Sequence, residues 1–112
     1  RPISAEEWSR LRSKFHCPIG ITNVWQTPQL RNGERLKNEQ KAIHLNQKPL
    51  ELISRTIEMA SDIGDVIWDP FAGLCTTAIA SHDLGRTCYC AEINEDIYDI
   101  ALSRLKKVLQ NR

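Results

Sequence analysis

The sequence predicts an α/β fold in which parallel strands are flanked by helices, and two observations carry that expectation. After residue 48, helical and strand-like patterns alternate in the order helix, strand, helix, strand, helix. Such alternation implies a parallel sheet joined by right-handed crossovers. Each strand-like run also leads into an acidic residue, Asp69 after the first and Glu92 after the second. The carboxyl ends of parallel strands are where such sheets bind ligands.

Each element follows from its residues. Pro49 suits the first position of a helix, and Leu50, Ile53, Ile57 and Ala60 then recur at helical spacing. Ser61-Asp62-Ile63-Gly64-Asp65 breaks the pattern. Val66-Ile67-Trp68 is a short apolar run, expected to be a buried strand, and Asp69-Pro70-Phe71-Ala72-Gly73 follows as a turn. Thr76–Leu84 is small and apolar, a helix stopped by Gly85. Thr87–Ala91 is the second strand. From Glu95 onward, Ile97, Ile100, Ala101, Leu105 and Val108 mark an amphipathic helix running nearly to the last residue. The first forty residues are less regular. Ser4 and Glu7 have capping-box spacing and predict a short helix over Ala5–Lys14, with Trp8 and Leu11 on one face. His16-Cys17-Pro18-Ile19-Gly20 reads as a loop and Ile21–Trp25 as one short strand. Polar Gln26–Lys41, with Pro28 and Gly33, reads as a surface loop.

Composition bounds the function classes. The chain has 112 residues, 41% hydrophobic and 26% charged, an ordinary mixture for one globular domain. No apolar run approaches the roughly 20 residues that span a bilayer, and no signal-peptide pattern is present. Membrane and secreted readings are therefore disfavoured. The first residue is Arg1, not Met, which suggests a fragment, a processed product or a trimmed chain. The net charge of +1 hides an asymmetry: residues 1–48 carry nine Lys or Arg against four Asp or Glu, whereas residues 49–112 carry six against ten. A basic first half suits a polyanion, although uneven scatter of surface charge accounts for it equally well. Of the four cysteines, none has Cys-x-x-Cys spacing, so no structural zinc site is expected. Cys88 and Cys90 stand two apart in a strand-like run and share a face. Unpaired cysteines fit a reducing cytoplasm.

The two strand ends permit specific chemistry. In the first turn Gly73 lets a ligand approach the backbone, and the following helix aims free N–H groups at it, with Thr76 and Thr77 adding hydroxyls. An ionised Asp69 repels a pyrophosphate and attracts an ammonium, which favours a cofactor with an amino group over a dinucleotide. Glu92, 23 residues beyond Asp69, stands where a carboxylate commonly accepts both hydroxyls of a ribose. Taken singly, Asp69 is also a turn cap and Glu92 a solvated strand-end charge. No Gly-x-Gly-x-x-Gly sequence is present, which argues against a dehydrogenase-type nucleotide domain.

Three segments, in order, resemble a known family. His44-Leu45-Asn46-Gln47-Lys48-Pro49-Leu50-Glu51-Leu52-Ile53 is similar to the cofactor-binding segment of the permuted amino-methyltransferases that act on DNA bases, whose usual form is His-Pro-Thr-Gln-Lys-Pro. Gly64–Gly73 resembles that family's Asp-Pro-Phe-x-Gly-x-Gly-Thr loop. Leu84-Gly85-Arg86, Glu92-Ile93-Asn94, Tyr98, Ala101, Arg104 and Leu105 continue the match, and Gly20–Trp25 looks like the segment that precedes it. Two positions depart from the pattern: Cys75 stands where the family has glycine, and Leu45-Asn46 where it has Pro-Thr.

The resemblance implies a partial Rossmann-like methyltransferase fold, with residues 44–112 as the S-adenosylmethionine-binding half. Residues 1–43 would be the tail of a target-recognition region and its connecting loop. It implies that Asp69, Phe71, Ala72 and Gly73 line the methionine part of S-adenosylmethionine, with Asp69 near its amino group, and that Cys75 and Thr76 also belong to the cofactor-binding loop. Asn46 and Lys48 would approach the same end. Glu92 would bind the ribose and Ile93 would pack beside the adenine. The family's catalytic Asp/Asn/Ser-Pro-Pro-aromatic segment has no counterpart, since none of Pro2, Pro18, Pro28, Pro49 and Pro70 are adjacent. No catalytic residue is therefore expected in this chain, and no metal ligand. Arg10, Arg12, Lys14, Arg31, Arg35 and Lys37 would touch DNA phosphates. A sheet this small leaves an edge that a missing N-terminal half or another protomer would complete. The resulting expectation is a DNA methyltransferase fragment or subunit, adenine-N6 or cytosine-N4. The alternative is a non-catalytic cofactor-binding or interaction module with the same fold.

Overall fold

Two four-residue strands, hydrogen-bonded in parallel, form the frame on which the rest is hung. The structure, a computed structural model, describes residues 2–7, 24–30, 35–38, 41–42 and 47–111. Within them the order is β1 (Lys37–Asn38), β2 (Lys41–Ala42), α1 (Leu50–Ala60), β3 (Val66–Asp69), α2 (Thr76–Asp83), β4 (Thr87–Cys90) and α3 (Glu95–Gln110). β3 and β4 pair in parallel with Val66 beside Thr87, Ile67 beside Cys88, Trp68 beside Tyr89 and Asp69 beside Cys90. α2 is the crossover; it packs against α1 and β4 and touches α3.

Helix boundaries follow local chemistry. Pro49 is extended (φ −61°, ψ 133°) and sits just outside α1, one position before the expected one. Its carbonyl accepts the Ile53 N–H at 3.3 Å and so closes the first turn. Glu51 and Arg55, one turn apart, pair at 3.0 Å. α2 ends at Asp83, and Gly85 adopts φ 73°, a left-handed conformation that favours glycine. α3 starts after Asn94, whose Oδ1 accepts the Ile97 N–H at 3.0 Å; Glu95 and Asp96 then complement the helix dipole.

The core is small and centred on α2. Ile79 and Ala80 are buried there, as are Ile57 and Met59 on α1, the helix that packs against it. Around the start of α2, Ala72, Cys75 and Ala101 form a cluster joined by Ala78, Cys90 and Leu105. The stripe on α1 differs from the expected one at its end: Met59 is buried and Ala60 exposed. Ala60 lies at the point where the chain leaves the helix.

Three further expectations are corrected. β3 is not a buried strand: Val66 and Trp68 are each 63% exposed, and Tyr89 is 60% exposed beside Trp68. Side chains alternate across a strand, and among the described residues helices cover one face of this pair only. The loop expected over Gln26–Lys41 contains β1, which pairs antiparallel with β2 in the register Lys37–Ala42, Asn38–Lys41. Val24 and Trp25 are irregular rather than a strand; Trp25 instead lies under Arg55, whose guanidinium is 5.7 Å from the ring centroid.

The capping box is present. The Ser4 N–H donates to Glu7 Oε2 at 3.0 Å, the Glu7 N–H donates to Ser4 Oγ at 3.1 Å, and Ala5–Glu7 is helical. The remainder of that helix, with Trp8 and Leu11, lies outside the described residues, as do the loop His16–Gly20 and Ile21–Asn23. No helix among the described residues is long and apolar enough to cross a membrane.

One guanidinium secures the ends of two helices. Arg86 Nε donates to Ser61 Oγ at 3.2 Å and its Nη2 to the Ser61 carbonyl at 2.8 Å, while its Nη1 donates to the Leu84 carbonyl at 2.6 Å. Carbonyls at helix ends otherwise need water or a cap. Arg86→Ala is expected to destabilise the fold by about 2 kcal/mol, the scale of a few charge-assisted hydrogen bonds. Denaturant unfolding checks this, with Arg86→Lys recovering part of the loss.

Candidate functional site

The turn between β3 and α2 is held from three directions. The Asp69 carbonyl accepts the Ala91 N–H at 3.0 Å, and the Ala72 N–H donates to the Ala91 carbonyl at 2.9 Å, which carries the parallel pairing past the strand ends. Asp69 Oδ1 accepts the Phe71 N–H at 3.1 Å, an Asx-type turn. From the end of β4, Glu92 Oε2 accepts the Gly73 N–H and Oε1 accepts the Asn94 N–H, both at 2.9 Å. From α3, Arg104 Nη1 donates to the Leu74 carbonyl at 2.7 Å and to Thr76 Oγ1 at 3.1 Å.

That turn needs unusual backbone. Gly73 has φ 52°, which costs a glycine nothing. Cys75, the residue before α2, has φ 58° and ψ 34°, a left-handed conformation that costs an L-residue about 1–2 kcal/mol. Together these residues swing the chain from the strand end onto the helix within a few positions.

The result is a cleft of about 310 Å³ at the carboxyl ends of the two strands. One wall carries Asp69, Phe71, Ala72 and Gly73; another carries Leu74, Thr76 and Thr77 at the start of α2; Glu92 closes the β4 side, and Gln47 with Lys48 the side before α1. Two carboxylates, a lysine and the first N–H groups of a helix thus surround one volume. The set offers acceptors for an ammonium and for hydroxyls, and positive potential for a carboxylate. No group of three or more potential metal ligands occurs among the described residues.

Of the residues singled out from sequence, Lys48, Asp69, Phe71, Ala72, Gly73, Thr76 and Glu92 line this cleft together. Cys75 does not; it is 7% exposed and belongs to the core cluster behind the turn. Ile93 is 99% exposed, one residue beyond Glu92 and off the cleft wall. Asn46 lies outside the described residues, as do Arg10, Arg12, Lys14 and Arg31. Arg35 is half-buried in a neighbouring hollow with Thr27, Pro28 and Leu52, and Lys37 is exposed on β1. Sequence reasoning passed over Gln47 and Leu74. Gln47 is 7% exposed, and its Oε1 accepts the Leu36 N–H at 3.0 Å. Its place inside the Gln-Lys-Pro segment was the available signal.

Comparisons with known proteins bear on the whole chain. A family model described as DNA methylase matches residues 4–103. The chain is 37% identical over 101 residues to the Type II methyltransferase M.ScaI of Streptomyces caespitosus, covering 88% of this chain and 33% of that protein. It is 39% identical over 71 residues to the Type II methyltransferase M.HindIII of Haemophilus influenzae, covering 63% of this chain and 23% of that one. A Thermus thermophilus protein assigned as a DNA modification methylase, solved with S-adenosyl-L-methionine, superposes with a TM-score of 0.52 at 39% identity, over 55% of this chain and 25% of that one. A complex of M1.HpyAVI with the same compound superposes with a TM-score of 0.65 over 84% of this chain and 44% of that one, and at 24% identity it speaks for the fold alone. The chain spans about a third or less of the curated relatives it matches.

The hydrogen bonds around Glu92 make a testable demand on the unliganded protein. Glu92→Ala leaves the Gly73 and Asn94 N–H groups without their acceptor and is expected to destabilise the fold by about 2–3 kcal/mol. Glu92→Gln, which keeps one acceptor oxygen, is expected to lose about half as much. Thermal unfolding of the two variants beside the parent checks both values.

Proposed function

The chain belongs to the DNA methylase family, and on that premise we propose that its cleft holds S-adenosylmethionine. The whole protein then transfers a methyl group to the exocyclic amine of adenine or cytosine in DNA. The observation that carries this reading is the convergence of Asp69 and Glu92, from neighbouring strand ends, on one cleft. The donors and acceptors present fit the group. Asp69 offers a carboxylate to the amino end, while Lys48 and the N-terminus of α2, with Thr76 and Thr77, suit the carboxylate beside it. Glu92, whose carboxylate accepts the Gly73 and Asn94 N–H groups, stands on the cleft wall where a ribose hydroxyl would meet it.

When bound, the cofactor supplies a methyl group already activated on a sulfonium, so no protein nucleophile is needed. This chain's residues bind and orient. Asn46 joins Lys48 at the methionine end, Gly73 lets the backbone approach, and Phe71, 88% exposed, offers an apolar surface at the mouth. Ile93 has its side chain free to lie against the adenine, and Cys75 supports the turn from behind. The groups that hold the acceptor amine and stack on a flipped base come from the rest of the protein.

In this reading the chain has the permuted arrangement, residues 44–112 being the cofactor half and residues 1–43 the end of a target-recognition region. Arg10, Arg12, Lys14, Arg31, Arg35 and Lys37 meet DNA phosphates. A missing N-terminal half or another protomer completes the two-stranded sheet at its open edge, beside the exposed Val66, Trp68 and Tyr89. The unbridged Cys75, Cys88 and Cys90 fit a cytoplasmic setting.

Calorimetry of the whole protein with S-adenosylmethionine tests the cofactor reading. Asp69→Ala and Glu92→Ala are each expected to weaken binding about 10- to 100-fold, equivalent to charge-assisted hydrogen bonds of about 1.5–3 kcal/mol. Unchanged affinity in both refutes it. Transfer of labelled methyl groups to DNA separates an enzyme from a binding module. Light scattering tests the completed sheet: the isolated chain is expected to associate, and a folded monomer at all dilutions speaks against it.

A further inference from the structure

A second hollow adjoins the cofactor cleft, and its charge is opposite. Gln47 and Lys48 belong to the walls of both, so the two volumes meet across that pair. The cleft carries two carboxylates, Asp69 and Glu92. Among the described residues the hollow has no acidic wall residue and two cations, half-buried Arg35 and exposed Lys48. Leu30 and Leu52 add apolar surface to it. Its volume of about 350 Å³ is within the range of small-ligand sites. Thr27 also stands in its wall, and the Thr27 hydroxyl oxygen is shut off from solvent without a hydrogen-bond partner. A buried hydroxyl left unsatisfied costs about 1–3 kcal/mol, so its persistence in a native fold calls for a reason.

We propose that this hollow seats one phosphate of the DNA strand, with its deoxyribose, beside the methyl donor. The inference rests on the DNA-methylating reading and gives one phosphate contact a built place. Two cations with no carboxylate among them select an anion. Arg35 has the planar fork that takes two phosphate oxygens at once. The Thr27 hydroxyl supplies a neutral donor, and the phosphate is the acceptor that it lacks in the free protein. Leu30 and Leu52 suit the carbon face of a sugar, for which a bare inorganic anion has no use.

The cofactor's own carboxylate is provided for on the cleft side, by Lys48 and the start of α2. Lys48 therefore serves an anion on either side of it, and bound DNA and bound cofactor become neighbours across one ammonium. Phosphate contacts fix register without reading sequence. The role of the hollow is to set where the strand lies relative to the methyl group.

DNA binding by the whole protein tests this, measured by fluorescence anisotropy across a salt series on duplexes of two unrelated sequences. Arg35→Gln is expected to weaken binding about tenfold on both duplexes and to reduce the slope of log affinity against log salt by about one. Arg35→Lys keeps the charge and should keep the slope. Thr27→Val is expected to weaken binding about threefold at unchanged slope, the scale of one neutral hydrogen bond. Its melting temperature should hold or rise, because the lost hydroxyl has no partner in the free protein; a purely structural hydroxyl would lower it. Calorimetry should show unchanged affinity for S-adenosylmethionine in all three variants. An unchanged slope in Arg35→Gln, or Thr27→Val that binds DNA like the parent, overturns the proposal. So does a loss of cofactor affinity that matches the loss of DNA affinity, since the hollow is then an extension of the cleft. Should Arg35→Gln fail to fold, Thr27→Val decides. A parent protein that binds no DNA sinks the substrate reading itself, and the proposal with it.

Discussion

A carboxylate that spans two loops sets the shape of this site. Parallel strands stop making ladder hydrogen bonds at their ends, and the chain beyond each must be held by something else. Glu92 does so with both oxygens, one on the Gly73 N–H of the first loop and the other on the Asn94 N–H at the start of the last helix. Apolar burial around Ile79 and Ala80 keeps the helices together, but it acts without direction. The direction comes from Glu92 on one side of the turn and Arg104 on the other. Gly73 and Leu74, gripped between these charges, hold the cleft wall in place without a ligand, and preorganisation of that kind reduces the ordering cost of binding.

The second half of the chain was legible because its signals are local and mutually consistent. Helix starts and stops at Gly85 and Asn94, and the placement of Asp69 and Glu92 at strand ends, require only period, turn chemistry and crossover topology. The parts that were not legible depend on neighbours. Val66-Ile67-Trp68 reads as buried from composition alone, yet exposure depends on what covers each face, and Val66 and Trp68 lie on the bare one. The pair Lys37–Asn38 and Lys41–Ala42 has none of the β-branched or aromatic residues that announce a strand. Gln47 reads as an ordinary hydrophilic loop residue until its hydrogen bond to Leu36 places it in a wall. The positive φ of Cys75 has one signal in the sequence, the glycine that the resembled family carries at that position.

The open face is the least satisfied surface among the described residues. Val66, Trp68 and Tyr89 leave a large apolar surface on a parallel pair, and parallel sheets are ordinarily covered on both faces.

Arg86 links pieces of backbone distant in sequence, because Ser61 and Leu84 close different helices through the same side chain. Fraying at either terminus therefore strips the other of its cap. The ends of α1 and α2 should open together as a single cooperative unit, so amide exchange there follows one shared event, not two independent ones.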